Sequence, residues 1–191
     1  MEKEIYLVTD RLIIRSFKEN DIKDVFEYLS DKIVMEYIEP VMTYSKAASF
    51  IRKYGIKNKI IFAIVLKDTE KVIGHLIFKE YSSKTIYEIG WIINKDYWNK
   101  GYASETSQCI IKYGFEELNI EKIIGETEAE NIKAIKIFNK LGMENIGKNE
   151  NGLIEYEIKN AKYVHKEIIE IGNDCDFIEI FAQDKVKFNP V

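Results

Sequence analysis

The chain has 191 residues, with 28 Lys plus Arg against 32 Asp plus Glu and a formal net charge of −4. That balance argues against general nucleic-acid binding, which needs a basic face. Apolar residues make up 46%, with 12 Tyr and 10 Phe, which excludes a disordered chain, and two cysteines, Cys109 and Cys175, are too few for a disulfide framework or a zinc cluster.

The opening MEKEIYLVTD lacks an apolar h-region, so no signal peptide is expected. No apolar run reaches the length of a membrane span, and a reducing cytoplasm is the expected setting. RLIIRSF (11–17) reads as a first strand, and ENDIKDVFEYLSD (19–31) as a helix with Ile22, Val25, Phe26 and Leu29 on one face. Pro40 interrupts, and YSKAASFIRKYGIKN (44–58) reads as a second helix with Gly55 near its end. IIFAIVLKD (60–68) and KVIGHLIFKEY (71–81) are β-rich runs separated by a polar turn, and TIYEIGWII (85–93) is a further strand. Residues 102–118 form a helix with Thr106, Cys109, Ile110, Tyr113 and Glu117 at helical spacing, Cys109 being expected as a small buried hydrophobe. KIIGETEA (122–129) is a strand, and NIKAIKIFNKLG (131–142) a short helix closed by Gly142. MENIGK and LIEYEIK flank the hairpin turn NENG, while EIIEI (167–171) and FIEIF (177–181) suggest one more hairpin. This order implies an α/β domain with a mixed sheet.

The stretch WNKGYASE (98–105) must turn from strand to helix within a few residues. Gly101 lets the backbone approach a ligand closely, and Ala103 is small. The first N–H groups of the following helix are unpaired and point outward, and Lys100 adds a charge. These are the parts of a pyrophosphate cradle, and equally those of a glycine turn in front of a helix. A Walker loop needs G-x-x-x-x-G-K-[ST], which is missing, and a dinucleotide fingerprint needs two more glycines around Gly101.

Three segments, LVTDRLIIRSFKENDI (7–22), EIGWIINKDYWNKGYASE (88–105) and ENIKAIKIFNKLGM (130–143), together resemble the GNAT acetyltransferase superfamily. The branch they resemble most is that of the ribosomal-protein N-acetyltransferases of the RimJ/RimL type, over about residues 9–160. The resemblance implies a mixed, mostly antiparallel sheet whose two central parallel strands splay apart, flanked by helices. Acetyl-CoA, as co-substrate and without a metal, would lie in the cleft. Its phosphates would sit on the backbone of Asn99, Lys100, Gly101, Tyr102, Ala103 and Ser104. The pantetheine arm would pair with the strand backbone at Trp91, Ile92 and Ile93, like an added strand. Asn131 matches the family residue that binds the cofactor arm, and Phe138 and Lys140 match positions on its other side. Trp98 stands where the family commonly has Gln or Arg. Lys95, Lys100, Lys136 and Lys140 could screen the phosphate charge, Lys136 being rather part of a solvated face. Residues 1–160 would form the acetyltransferase domain, with 161–191 an extension, a hairpin packed on it or on a partner subunit in a homodimer.

The implied reaction moves an acetyl group to a primary amine, on a small molecule or a peptide, by direct attack in a ternary complex. Glu88 ranks first as general base, because strand alternation puts it on one face with Gly90 and Ile92. Glu126 or Glu128, and then Glu155 or Glu157, are the alternatives. Where many family members carry a Tyr or Ser to protonate the leaving thiolate, this chain has Phe138 and Ala134, which cannot donate. That departure keeps open a non-catalytic acyl-CoA-binding sensor or interaction module. His75 and His165 are expected to be structural, and two histidines argue against a metal site or a Ser-His-Asp triad.

Overall fold

The computed structural model describes residues 5–163 and three short strands, Cys175–Phe177, Ile180–Phe181 and Asp184–Lys185. A hairpin, β1 (Tyr6–Thr9) and β2 (Leu12–Arg15), opens the chain. Two helices follow, α1 (Ile22–Leu29) and α2 (Tyr44–Phe50), the second continuing as a wider π-helical turn over Ile51–Lys57. Strands β3 (Ile61–Leu66), β4 (Val72–Ser83) and β5 (Ile86–Ile93) form a meander. Then come α3 (Tyr102–Glu116), β6 (Lys122–Thr127), α4 (Ile132–Lys140), β7 (Glu144–Lys148) and β8 (Ile154–Lys159).

One twisted sheet runs β7-β8-β6-β5-β4-β3-β2-β1-β9, where β9 is Cys175–Phe177. Every neighbouring pair is antiparallel except β5 and β6. This is the mixed, mostly antiparallel sheet with a central parallel pair that the resemblance implies. The expected partner run of the last hairpin, 167–171, lies outside the described residues. Residues 175–177 instead extend the sheet beside β1, and Ile180–Phe181 pairs with Asp184–Lys185 as a separate ribbon, β10 and β11.

The sheet is covered on both faces, so its central strands are buried as near-continuous apolar runs. One core joins α3 and α4 to the sheet through Ile110, Phe138, Ile89 and Ile93. The other joins α1 and α2 to the opposite face through Val25, Leu29, Ile51 and Ile92. On α1 the fully buried positions are Ile22, Val25, Tyr28 and Leu29. Phe26 sits further out than its spacing suggests, edge-on to Tyr44 at 5.4 Å between centroids. Cys109 is buried as expected, but it is disulfide-bonded rather than a free thiol.

Tyr28 is drawn inward because its hydroxyl meets His75 Nδ1 at 2.9 Å. His75 is fully buried on β4, and its Nε2 has no hydrogen-bond partner among the described residues. Burial lowers its pKa from 6.5 to about 3, so the ring is neutral at ordinary pH. Between those values the unfolded chain binds the proton and the folded chain does not, so stability falls as the pH drops through that window. The expected loss from this group is about 1.4 kcal/mol per pH unit. It is clearest between pH 6.5 and 5, above most carboxylate titration. Denaturant unfolding at pH 7 and pH 5 measures it, and an equal slope in His75→Gln would assign the effect elsewhere.

Candidate active site

The parallel pair is incomplete. Ile86, Tyr87 and Glu88 face Lys122, Ile123 and Ile124, but no pairing continues beyond Glu88 and Ile124. Ile89–Ile93 of β5 and Gly125–Thr127 of β6 therefore diverge as the two arms of a fork, closed at Glu88 and open towards their C-terminal ends. Backbone groups inside a fork have no strand partner. Alternation identifies them on β5. Asn94 N–H donates to the Ile73 carbonyl at 2.8 Å, so Asn94, and two residues back Ile92, spend their backbone groups on β4. Trp91 and Ile93 turn theirs into the gap. The pairing edge expected at Trp91, Ile92 and Ile93 thus narrows to the first and third. The Ile93 carbonyl accepts the Trp98 indole N–H at 2.7 Å.

After β5 the chain makes a short 3-10 turn at Lys95–Tyr97 and enters the loop before α3. Asn99 has φ 60° and Gly101 φ 83° with ψ 0°, both left-handed. Gly101 is the N-cap of α3 and supplies no side chain, so the first N–H groups of a fifteen-residue helix are left uncapped. Two left-handed residues around Lys100 make a concave run of amides at a positive helix end, which suits an anion. Lys100 is exposed, with its ammonium 5.0 Å from the Tyr97 ring centre. Lys95 is engaged by Asp31, and Lys136 and Lys140 are exposed on α4. Lys133, which sequence reasoning did not single out, lies 3.6 Å above the Trp98 ring.

Asn131 caps α4, accepting the Ala134 N–H at 3.2 Å, which leaves its amide NH2 for another partner. Phe138 does not stand open to the fork. It is 2% exposed, stacked on Tyr156 at 4.9 Å and edge-on to Trp91 at 5.1 Å. Its Cζ lies over Gly125, 2.6 Å from where a β-carbon would be, so glycine at 125 is what lets the ring in. Phe138 therefore backs the fork wall through Trp91.

Glu88 lies on the face of β5 shared with Ile92, where the arms begin to part. Its carboxylate pairs with Lys79 at 2.9 Å and its side chain is 22% exposed. On the other arm Glu126 stands directly opposite Glu155 of β8. Two like charges so placed repel, and Tyr81 relieves them by donating its hydroxyl to Glu126 at 2.7 Å, with Glu155 at 3.3 Å. The carboxylates hold on to that proton and raise the phenol pKa. Glu157 is instead committed to Lys122 and Lys159. Beyond the end of β6, an open surface groove of about 620 Å3 lies between residues 32–41 and the turn before α4. Its lining sets Glu36, Glu39, Glu128 and Glu130 against Lys32.

The acetyltransferase (GNAT) domain family matches residues 11–144, well over half of the chain and all of the fork. The chain belongs to the GNAT acetyltransferase family. A Bacillus subtilis (strain 168) relative, the uncharacterized N-acetyltransferase YnaD, is 42% identical to this acetyltransferase over 144 residues, covering 75% of this chain and 85% of the relative. The crystal structure of a GNAT-family acetyltransferase from Bacillus anthracis superposes with a TM-score of 0.77 at 34% identity, over 82% of this chain and 99% of that one. Spermidine N-acetyltransferase from Vibrio cholerae, solved with CoA and spermine, shares the fold at a TM-score of 0.67 and 22% identity, over 80% of this chain and 98% of its own. The protein is thus an acetyltransferase, of a family that draws its acetyl group from acetyl-CoA. Among the described residues no helix of this acetyltransferase is long and apolar enough to cross a membrane.

Proposed function

We propose that the protein is an acetyl-CoA-dependent N-acetyltransferase, built on the ribosomal-protein (RimJ/RimL-like) scaffold, that acetylates a primary amine directly within a ternary complex. The fork leading to an uncapped helix N-terminus supports this most. Its two parts match the two halves of the donor. The left-handed Asn99 and Gly101 and the first amides of α3, at Tyr102, Ala103 and Ser104, offer donors for a pyrophosphate, with Lys100 as counter-charge. The unpaired edge at Trp91 and Ile93 offers strand-like hydrogen bonds to an amide-bearing pantetheine arm, met from the far arm by the Asn131 amide. Lys140 stays a peripheral charge, and Phe138 acts by holding Trp91.

The amine nitrogen must lose a proton as it bonds to the acetyl carbon and the carbon–sulfur bond breaks. Two carboxylates flank the closed end of the fork, Glu88 with Lys79 and Glu126 with Tyr81. Glu88 is the proposed base because it sits at the last paired position. Of the two gap-facing N–H groups of β5, that of Trp91 is nearer Glu88, and in this reading it polarises the acetyl carbonyl while Ile93 pairs with the arm. Neither Ala134 nor Phe138 carries a proton for the leaving thiolate, and the Tyr81 hydroxyl keeps its own on Glu126 and Glu155, so in this reading water protonates the sulfur. The acidic groove beyond β6 favours cationic amines over neutral ones. Residues 1–160 form the catalytic unit in this reading, with 161–191 an addition to it.

The test follows acetyl transfer from labelled acetyl-CoA by mass spectrometry over a panel of polyamines, amino acids and peptides with free N-termini. Transfer to cationic amines is the expected result. Acetyl-CoA bound without transfer to any of them would favour a binding module instead. With an acceptor in hand, Glu88→Gln is expected to lower kcat by roughly 100-fold or more with the acetyl-CoA Kd unchanged. A larger loss in Glu126→Gln would move the base to the other arm.

A further inference from the structure

Arg11 lies in the turn between β1 and β2, more than eighty residues before the α3 loop, yet its side chain is anchored on that loop. Its Nη1 donates to the Lys100 carbonyl at 2.9 Å. Its Nε donates to Glu105 Oε2 at 2.8 Å, and its guanidinium lies 4.5 Å from the centre of the Tyr102 ring. Glu105, in the first turn of α3, is held from the same hairpin by the Arg11 N–H at 3.1 Å and by the Thr9 hydroxyl. Thr9 is 4% exposed, and it also accepts the Leu12 N–H at 3.0 Å. Arg11 is thus fixed at three points, and one of them is a backbone carbonyl in the middle of the concave loop.

We propose that Arg11 is a positioning residue for the donor's pyrophosphate, acting through the Lys100–Gly101 peptide. The Lys100 carbonyl and the Gly101 N–H belong to one planar trans peptide and point in opposite directions. Holding the carbonyl on Arg11 therefore aims the Gly101 N–H away from the hairpin, towards the concave side of the loop. Glycine at 101 makes this peptide easy to turn, because its backbone has few steric limits. Without Arg11 the peptide can rotate and present an oxygen to the anion instead of a hydrogen. Glu105 spends the guanidinium charge, so the contribution is one of direction rather than of net charge. The inference rests on the acetyl-CoA reading of the loop.

Calorimetric titration at low temperature, on variants whose fold is first checked by circular dichroism, tests it with coenzyme A and with dephospho-coenzyme A as probes. The expected result for Arg11→Ala is an affinity loss of about tenfold, the worth of one charge-assisted hydrogen bond, equal for both probes because both carry the pyrophosphate. Glu105→Gln, which loosens the anchor but leaves the carbonyl contact, is expected to lose less. If the wild-type protein binds neither probe, the acetyl-CoA reading itself falls. If the wild type binds and Arg11→Ala binds within twofold of it, the positioning role falls and Arg11 is only a structural tie between hairpin and helix. A loss confined to coenzyme A would also overturn it, showing direct contact with the 3′-phosphate.

Discussion

Gly101→Asp is expected to weaken acetyl-CoA binding on the order of a hundredfold, about 2.8 kcal/mol. Two effects combine. A non-glycine residue at φ 83° carries backbone strain, though aspartate tolerates this region better than most. The larger effect is a carboxylate set among amides that should face a pyrophosphate. One charge pair at about 4 Å near a protein surface is worth up to ~4 kcal/mol. Gly101→Asn separates the two, since it keeps the conformational preference and removes the charge, and its loss is expected to stay within about tenfold. Calorimetry on both variants reads the difference. Unchanged affinity in folded Gly101→Asp would remove the loop from the donor site.

Phe138→Ala is expected to cost about 3–5 kcal/mol of stability, the range for a buried aromatic ring truncated in a core. Its ring touches Tyr156, Trp91 and Gly125 together, so truncation opens a void beneath both arms of the fork. A melting temperature lower by roughly 6–20 °C would follow for a chain of this size. Because Phe138 supports Trp91, acetyl-CoA affinity should fall as well, measured below the melting range. Phe138→Tyr bears on the missing proton donor. Its hydroxyl would enter the contact over Gly125 rather than the cleft, so the variant is expected to lose stability and gain no turnover. A faster Phe138→Tyr enzyme would show that the ring swings into the fork.

Periodicity alone located the elements that position the site. The run TIYEIGWII and the glycine-bearing loop after it are local patterns, and the structure has β5 and an uncapped α3 there. Gly101 was legible as a turn glycine in front of a helix, whereas its left-handed φ and that of Asn99 come from the structure. Contacts between distant segments were not. Arg11 carries no local mark, because its meaning lies in a carbonyl 89 positions away. Tyr81 and Glu126 meet across 45 positions, and only the fork's geometry brings them to one face. Phe138 shows the limit of carrying roles over by position. Its place in α4 follows the resemblance, but the Gly125 opposite it decides that the ring fills the core. Tyr28 was likewise displaced inward by a hydrogen bond to a histidine 47 residues on, which helical spacing cannot express.

The Trp98 indole has a consequence for watching the protein at work. A strand-like ligand arm pairing with Ile93 competes for the carbonyl that this indole occupies. Both tryptophans of the chain flank the fork, Trp91 on its wall and Trp98 at its open end. The molecule therefore carries an unlabelled optical reporter at the place where its chemistry is proposed to happen. Filling the gap should shift the ultraviolet emission of Trp98, seen alone in Trp91→Phe, and a stopped-flow trace of that emission would time the arrival of the donor before any acceptor is known.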